Sequence, residues 1–162
     1  MNESFNFATV TKADLPLIQQ MYQSTFKPIY LKYQDDQTDP LFESLVSLEE
    51  KWSRPNNHFY FFNHRNVRVG MLRIIVSQNR QTARLSPLLI LPQFQGRGYA
   101  QQMLHNIEIF YPSVTTWHLD TIAEEKKLVY LYKKMGYVQD INKITAIKPG
   151  MTIIYFSKII SK

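Results

Sequence analysis

Residues 88–104, LLILPQFQGRGYAQQML, constrain the fold more than any other stretch. They begin as an unbroken apolar run, break at Pro92, pass through Gln95-Gly96-Arg97-Gly98 and continue with helical spacing. The chain has only five glycines in 162 residues, so two of them beside one arginine call for a physical reason. A helix start carries backbone N–H groups without intrahelical partners, and its dipole favours an anion there. Glycine lets the preceding loop take left-handed angles and keeps Cβ atoms out of a ligand's approach. Successive amides around Gly96, Arg97 and Gly98 can then curl into an anion nest suited to phosphate. An ordinary strand-to-helix turn would use the same residues. A Walker A loop is excluded because no Gly-Lys-Ser/Thr follows, and a Rossmann fingerprint because the third glycine and the early position are missing.

The other segments give this junction its setting. SFNFATV, residues 4–10, alternates Phe5, Phe7 and more loosely Val10, as a first strand does. ADLPLIQQMYQSTFKPIY reads as a helix, with Asp14 placed to cap it, Pro16 in the first turn, and Ile18, Met21, Tyr22 and Phe26 at helical spacing. The polar KYQDDQTDP is a loop, and LFESLVSLEEKW a second short helix. HFYFFNHRNVRVGMLRIIVSQ supplies two strands around a turn at residues 63–66. ARLSPLLIL is apolar enough for a strand buried on both faces. VTTWHLDTI is a fifth strand, EEKKLVYLYKKMG a helix ending at Gly136, and MTIIYFSKII a last strand. The order β-α-α-β-β-β-α-β-α-β predicts an α/β domain with a mixed sheet. With 44% apolar and 14% aromatic residues, the chain can fill the core of one domain over 1–162.

Several function classes are disfavoured. The formal charge of +6 comes from scattered residues such as Lys12, Arg54, Arg68, Arg97, Lys133 and Lys148, not from a basic stripe, so no nucleic-acid partner is expected. Without cysteine there is no disulfide, thiolate metal site or cysteine nucleophile. His58, His64 and His105 are isolated and lack metal-ligand spacing, so no metal is expected; surface or packing roles suit them. Trp52 and Trp117 suit the core. MNESFNFATV lacks the charged start and apolar core of a signal peptide, and no apolar run approaches the roughly 20 residues of a membrane span. A soluble, cytoplasmic protein without a membrane partner is the expectation.

QGRGYA, Gln95 to Ala100, resembles the Gln/Arg-x-x-Gly-x-Gly/Ala signature of the GNAT superfamily of acyl-CoA-dependent N-acetyltransferases. LLILPQF resembles the fourth strand and proline-containing turn of that family, and LYKKMGY its Leu-Tyr-x-Lys-x-Gly-Phe/Tyr segment. The likeness is most specific over residues 86–137, and the order of elements is similar to small bacterial members over nearly the whole chain. The resemblance implies a GNAT-like fold, a mixed central sheet of about seven strands flanked by about four helices, with acetyl-CoA as co-substrate. It implies that Gln95, Gly96, Arg97, Gly98, Tyr99, Ala100 and Gln101 bind the CoA pyrophosphate, largely through backbone amides. Leu88, Leu89 and Ile90 would offer their backbone to the pantetheine arm, beside a bulge that splays this strand from the next. Arg97 is either a phosphate contact or a solvated loop residue.

Acetyl transfer to an amine needs a neutral amine, a stabilised thioester oxyanion and a protonated leaving group. The missing cysteine favours direct attack in a ternary complex over an acyl-enzyme. Tyr132 holds the position of the family's general acid, and a phenol with a reference pKa of about 10 can donate at neutral pH. It also belongs to an apolar helical stripe with Leu128, Leu131 and Met135. Asp120, at the end of the fifth strand, is the candidate base; strand alternation places it with His118 and opposite Trp117 and Leu119. It could instead cap the next turn. Strand four offers only Ser86 and Pro87 where other members carry a glutamate, and EEKKLVY lacks the CoA-contacting asparagine of many members. Glu124 and Glu125 could share the base role or favour the helix N-terminus. The loop YLKYQDDQTDP sets Asp35, Asp36 and Asp39 among Tyr30 and Tyr33, which suits a cationic amine or an ordinary solvated loop. The expected activity is acetyl transfer to a primary amine, a small molecule rather than a protein N-terminus or lysine. The alternative is a catalytically silent CoA-binding sensor or interaction module. A homodimer, by way of the last strands, is left open.

Overall fold

A computed structural model describes residues 4–161. Its strands are β1 (Phe5–Thr9), β2 (Asn57–His64), β3 (Val67–Val76), β4 (Thr82–Ile90), β5 (Thr116–Ile122), β6 (Val138–Lys148) and β7 (Met151–Ile159); its helices are α1 (Leu15–Tyr33), α2 (Leu45–Ser53), α3 (Tyr99–Phe110) and α4 (Lys126–Lys134). The strands form one sheet in the order β1-β2-β3-β4-β5-β7-β6. Only β4 and β5 run parallel, as their connection through α3 requires. This is the α/β architecture with a seven-stranded mixed sheet and four helices that the resemblance implied.

Period-two alternation divides the core between the two faces of the sheet. Phe61, Met71 and Leu89 pack on one face with Leu15, Ile18, Met21 and Tyr22 of α1 and Leu48 of α2. Phe62, Leu72, Ile74, Trp117, Leu119 and Phe156 pack on the other with Met103, Leu104 and Ile107 of α3 and Tyr132 of α4. Trp117 is fully buried. Trp52 is half-buried and donates its indole N–H to the Val10 carbonyl at 3.0 Å.

Three details depart from the sequence reading. Asp14 does not cap α1 with its side chain; it accepts from the Thr11 amide and hydroxyl, each at 2.9 Å, in a capping box over the preceding 3-10 turn. Helix α1 runs past Tyr30 to Tyr33 and takes the start of the polar segment with it. Strand β6 has no counterpart in the sequence reading. It is an edge strand exposed along almost its whole length, so VQDINKITAIK shows no apolar alternation. The hairpin turn falls at Arg65 and Asn66, both left-handed as a two-residue turn between twisted strands requires. No helix among the described residues is long and apolar enough to cross a membrane.

The feature that positions the site lies at the centre of the sheet. Strands β4 and β5 pair only through Thr82–Thr116, Ala83–Trp117 and Arg84–His118. Beyond Arg84, β4 stays with β3 while β5 stays with β7. Leu72 faces Leu88 and Ile74 faces Leu85, so Ser86 and Pro87 bulge together opposite Arg73. Further along, a Cβ on Gly70 would lie 2.2 Å from the Leu89 carbonyl oxygen. Only glycine allows β3 to approach β4 this closely.

Candidate functional site

The separation of β4 from β5 opens a cleft of about 460 Å³, walled by residues 85–88 of β4 and 120–122 of β5 and reached by Tyr132 of α4. In an antiparallel ladder, alternate residues turn their N–H and C=O away from the partner strand. Along residues 85–90 those groups therefore face the gap, and Leu88, Leu89 and Ile90 present a strand edge there. The Leu89 side chain packs under α1, while Leu88 and Ile90 belong to the opposite core.

Tyr132 is 5% exposed, with its ring against Tyr137 and Phe156 at centroid distances of 6.2 and 6.0 Å. Its hydroxyl makes no hydrogen bond among the described residues. Burial, with the Asp120 charge adding to it, pushes the phenol far above its ordinary range. At neutral pH this phenol is protonated. Asp120 approaches from the other face, as alternation requires: Trp117 and Leu119 are buried with Tyr132, while His118 and Asp120 turn away. Both Tyr132 and Asp120 line the same gap. Asp120 accepts a hydrogen bond from Arg84 Nη1 at 2.8 Å. Burial raises its proton affinity, Arg84 and Lys143 oppose this, and the balance lies above its ordinary value.

At the start of α3, Gly96 (φ 79°) and Gly98 (φ 82°) are both left-handed. A Cβ on either would meet nothing within 4 Å, so the backbone there faces open space. The first helical bond runs from the Gln102 amide to the Gly98 carbonyl at 3.2 Å, leaving the amides of Tyr99, Ala100 and Gln101 without helical acceptors. Gln95 donates through Nε2 to the Ile90 carbonyl at 2.9 Å and folds the loop back on β4. Tyr99 hydrogen-bonds His64 Nδ1 through its hydroxyl at 2.9 Å and packs on Phe5 and Phe94. Its side chain thus anchors the helix, and its amide is what it can offer a ligand. Arg97 is exposed, with its guanidinium 5.8 Å from the Phe94 ring centre. Unpaired amides, two left-handed glycines and a nearby cation fit a pyrophosphate. No group of three or more His, Asp or Glu side chains among the described residues is placed to hold a metal ion.

Two of the carboxylates considered as bases are committed elsewhere. Glu124 accepts from the Thr152 amide at 2.8 Å and hydroxyl at 3.1 Å, tying the α4 start to β7. Glu125 accepts from Lys32 Nζ at 2.6 Å and from the Tyr33 hydroxyl at 2.5 Å, holding the end of α1. Lys148 donates to the Tyr33 carbonyl at 2.7 Å from the far edge of the sheet. The acidic loop that follows is organised around these contacts. Asp35 is buried; burial works against its charge, but hydrogen bonds from Thr38 and the Gln37 amide, with Lys148 nearby, hold it below its ordinary range. Asp36 accepts from the Tyr30 hydroxyl at 2.6 Å. Asp39 accepts from the Leu41 amide at 2.9 Å, and burial raises its proton affinity.

Residues 16–137 match the acetyltransferase (GNAT) family. The chain belongs to the GNAT family of acetyltransferases. Curated protein sequences give no match. Solved GNAT structures are similar to this acetyltransferase in fold over nearly all of each chain. The spermidine N-acetyltransferase of Vibrio cholerae, solved with CoA and spermine, is 16% identical over 96% of this chain and 95% of its own, with a TM-score of 0.74. The ribosomal-protein-S18-alanine N-acetyltransferase of Escherichia coli is 14% identical over 98% and 96%, with a TM-score of 0.75. An acetyltransferase of Thermus thermophilus is 20% identical over 97% of both chains, with a TM-score of 0.69.

Within this GNAT acetyltransferase, sequence reasoning passed over Arg73 and Asn57. Arg73 stands opposite the bulge, donates through Nε to the Ser86 carbonyl and through Nη1 to Asn57 Oδ1 at 2.8 Å, and so holds the carbonyl that the bulge takes out of the ladder. A signal existed: a single arginine interrupts the apolar run MLRIIV. Arg84 and Lys148 carried none.

Proposed function

We propose that this GNAT acetyltransferase moves the acetyl group of acetyl-CoA to a primary amine of a small molecule by direct attack in a ternary complex. The observation that carries the reading is the parting of β4 from β5 beyond Arg84, with Tyr132 buried at the gap. The co-substrate supplies an activated thioester. The amides at residues 96–101 neutralise its pyrophosphate, with Gln95 and Arg97 beside them, and the free edge of Leu88, Leu89 and Ile90 aligns its arm. Tyr132, protonated at neutral pH, donates its proton to the sulfur as the C–S bond breaks and regains one, through water, as the acylated nitrogen sheds its second proton. Asp120, whose proton affinity is raised by burial, removes a proton from the incoming ammonium through water, with Arg84 holding its orientation.

The test is free-thiol release from acetyl-CoA across a panel of primary amines. Amine-dependent release is expected, with an acetylated product by mass. Asp120→Asn should lose most of its turnover at neutral pH and regain part of it as pH rises and free amine increases. One observation favours the rival, a silent CoA-binding module: Asp120 already holds an ion pair. Acetyl-CoA binding without thiol release on any amine would establish that rival.

A further inference from the structure

A second cleft of about 400 Å³ adjoins the first, and the two share residues 38–40 and the bulged Ser86–Pro87 as walls. Arg73, Tyr22, Lys51, Ser44 and Ser47 line the second cleft. Arg73 exposes only 8% of its surface. Its Nε and Nη1 are fixed by Ser86 and Asn57, whereas Nη2 makes no hydrogen bond and no carboxylate pairs with it among the described residues. Glu43, whose charge acts on Arg73, is already used: Lys51 Nζ lies 2.5 Å from Oε1, and Ser47 donates to Oε2. A buried guanidinium held rigidly by two neutral acceptors, with no ion pair of its own, is costly even with the field of Glu43 acting on it. A planar carboxylate is the group that its fork fits.

We infer that the second cleft is a carboxylate subsite built on Arg73, and that the acceptor is an amine carrying a carboxylate, an amino acid. This rests on the transfer reading above and names the substrate class for the same site. The acceptor's amine lies in the first cleft near Asp120 and Tyr132. Its body passes the shared wall at Pro87 and Asp39, and its carboxylate meets Arg73 Nη2, with Tyr22, Ser44 and Lys51 as further donors around it. A singly charged carboxylate suits this site better than a phosphate dianion, because Asp36, Asp39 and Glu43 also line the cleft.

The experiment pairs ω-amino acids of increasing chain length with their own carboxamides as acceptors for the 162-residue chain. Thiol release should favour each acid over its carboxamide by about tenfold or more in kcat/KM. Arg73→Gln should bring the ratio near unity, and Arg73→Lys should keep part of it. If Arg73→Gln does not fold, the wild-type ratios still decide. Carboxamides or diamines used as well as the acids would overturn the subsite and leave acetyl transfer standing. If no amine is acetylated, the transfer reading fails instead. Calorimetry of the same acid and carboxamide pairs against the CoA-saturated protein then decides the subsite alone: binding of acids only supports it, and equal or absent binding overturns it.

Discussion

At the Gly98 end of the cleft the chain presents bare backbone; at the Asp120 end the carboxylates already hold partners, several of them from a distant part of the sequence. The first end consists of amides at a helix start and a strand edge released from pairing, with glycines keeping Cβ atoms away. The second is a set of side-chain pairs: Arg84 with Asp120, Lys32 and Tyr33 with Glu125, Lys148 with the Tyr33 carbonyl. A backbone site recognises what all CoA thioesters share. A side-chain site can be re-paired, and on the proposed reading the acceptor is chosen there. The bulge at Ser86–Pro87 belongs to both ends, since it opens the gap and forms the wall between the two clefts.

The largest expected effect comes from the residue placed between the two ends. Tyr132→Phe keeps the ring and its packing, so stability should be near wild type, while kcat falls roughly 10²-fold if the acid role is lost. Acetyl-CoA affinity should change little, and the deficit should shrink with a thioester whose thiol has a lower pKa. A wild-type kcat would return Tyr132 to the apolar stripe with Leu128 and Leu131.

Gly98→Val should weaken acetyl-CoA binding by roughly 30-fold. A β-branched residue resists a φ of 82° at about 1–3 kcal/mol, and the loop relaxes away from the nest. Calorimetry checks the affinity, and circular dichroism should remain native-like. Unchanged affinity in the folded variant would make this junction a structural turn only.

A smaller effect sharpens the other end. Arg84→Met removes a cation that opposes the burial-driven rise of the Asp120 pKa. The pKa should rise further, so the acidic limb of the kcat/KM profile should move to higher pH, with a few-fold loss at neutrality. An unmoved limb would take Asp120 out of the mechanism. Smallest of all, Glu125→Gln removes the charge that Lys32 pairs with while keeping the shape. It should raise acceptor KM about two- to threefold, through a looser residue 34–39 loop, and leave acetyl-CoA KM alone. The reverse pattern in steady-state kinetics would contradict the division.

The same contrast explains what could be read from the sequence. The junction at residues 88–104 was readable because backbone sites depend on local residue type: an apolar run, a proline, two glycines, then a helix. Tyr132 and Asp120 were singled out by their place in a recognised family segment; both line the gap, and the alternation that set Asp120 opposite Trp117 held. Strand β6 escaped because an edge strand exposed on nearly all sides has no pattern to show. Ile141 and Ile144 lie in solvent. The ties of Glu125 to Lys32 and of Lys148 to Tyr33 join residues too far apart for any local rule. Arg73 lay between these cases, a charge inside an apolar strand whose partner is a bulge that only the three-dimensional register reveals.

Amide hydrogen exchange with and without CoA tests the central division most directly. Saturating CoA should slow exchange at residues 88–90 and 96–101, where bare backbone is to be covered, and leave residues 34–39 and the Asp120 region near their free rates. Adding the acceptor should then protect the second set without altering the first. Protection absent from residues 96–101, or appearing first at residues 34–39, would contradict the assignment of the two ends.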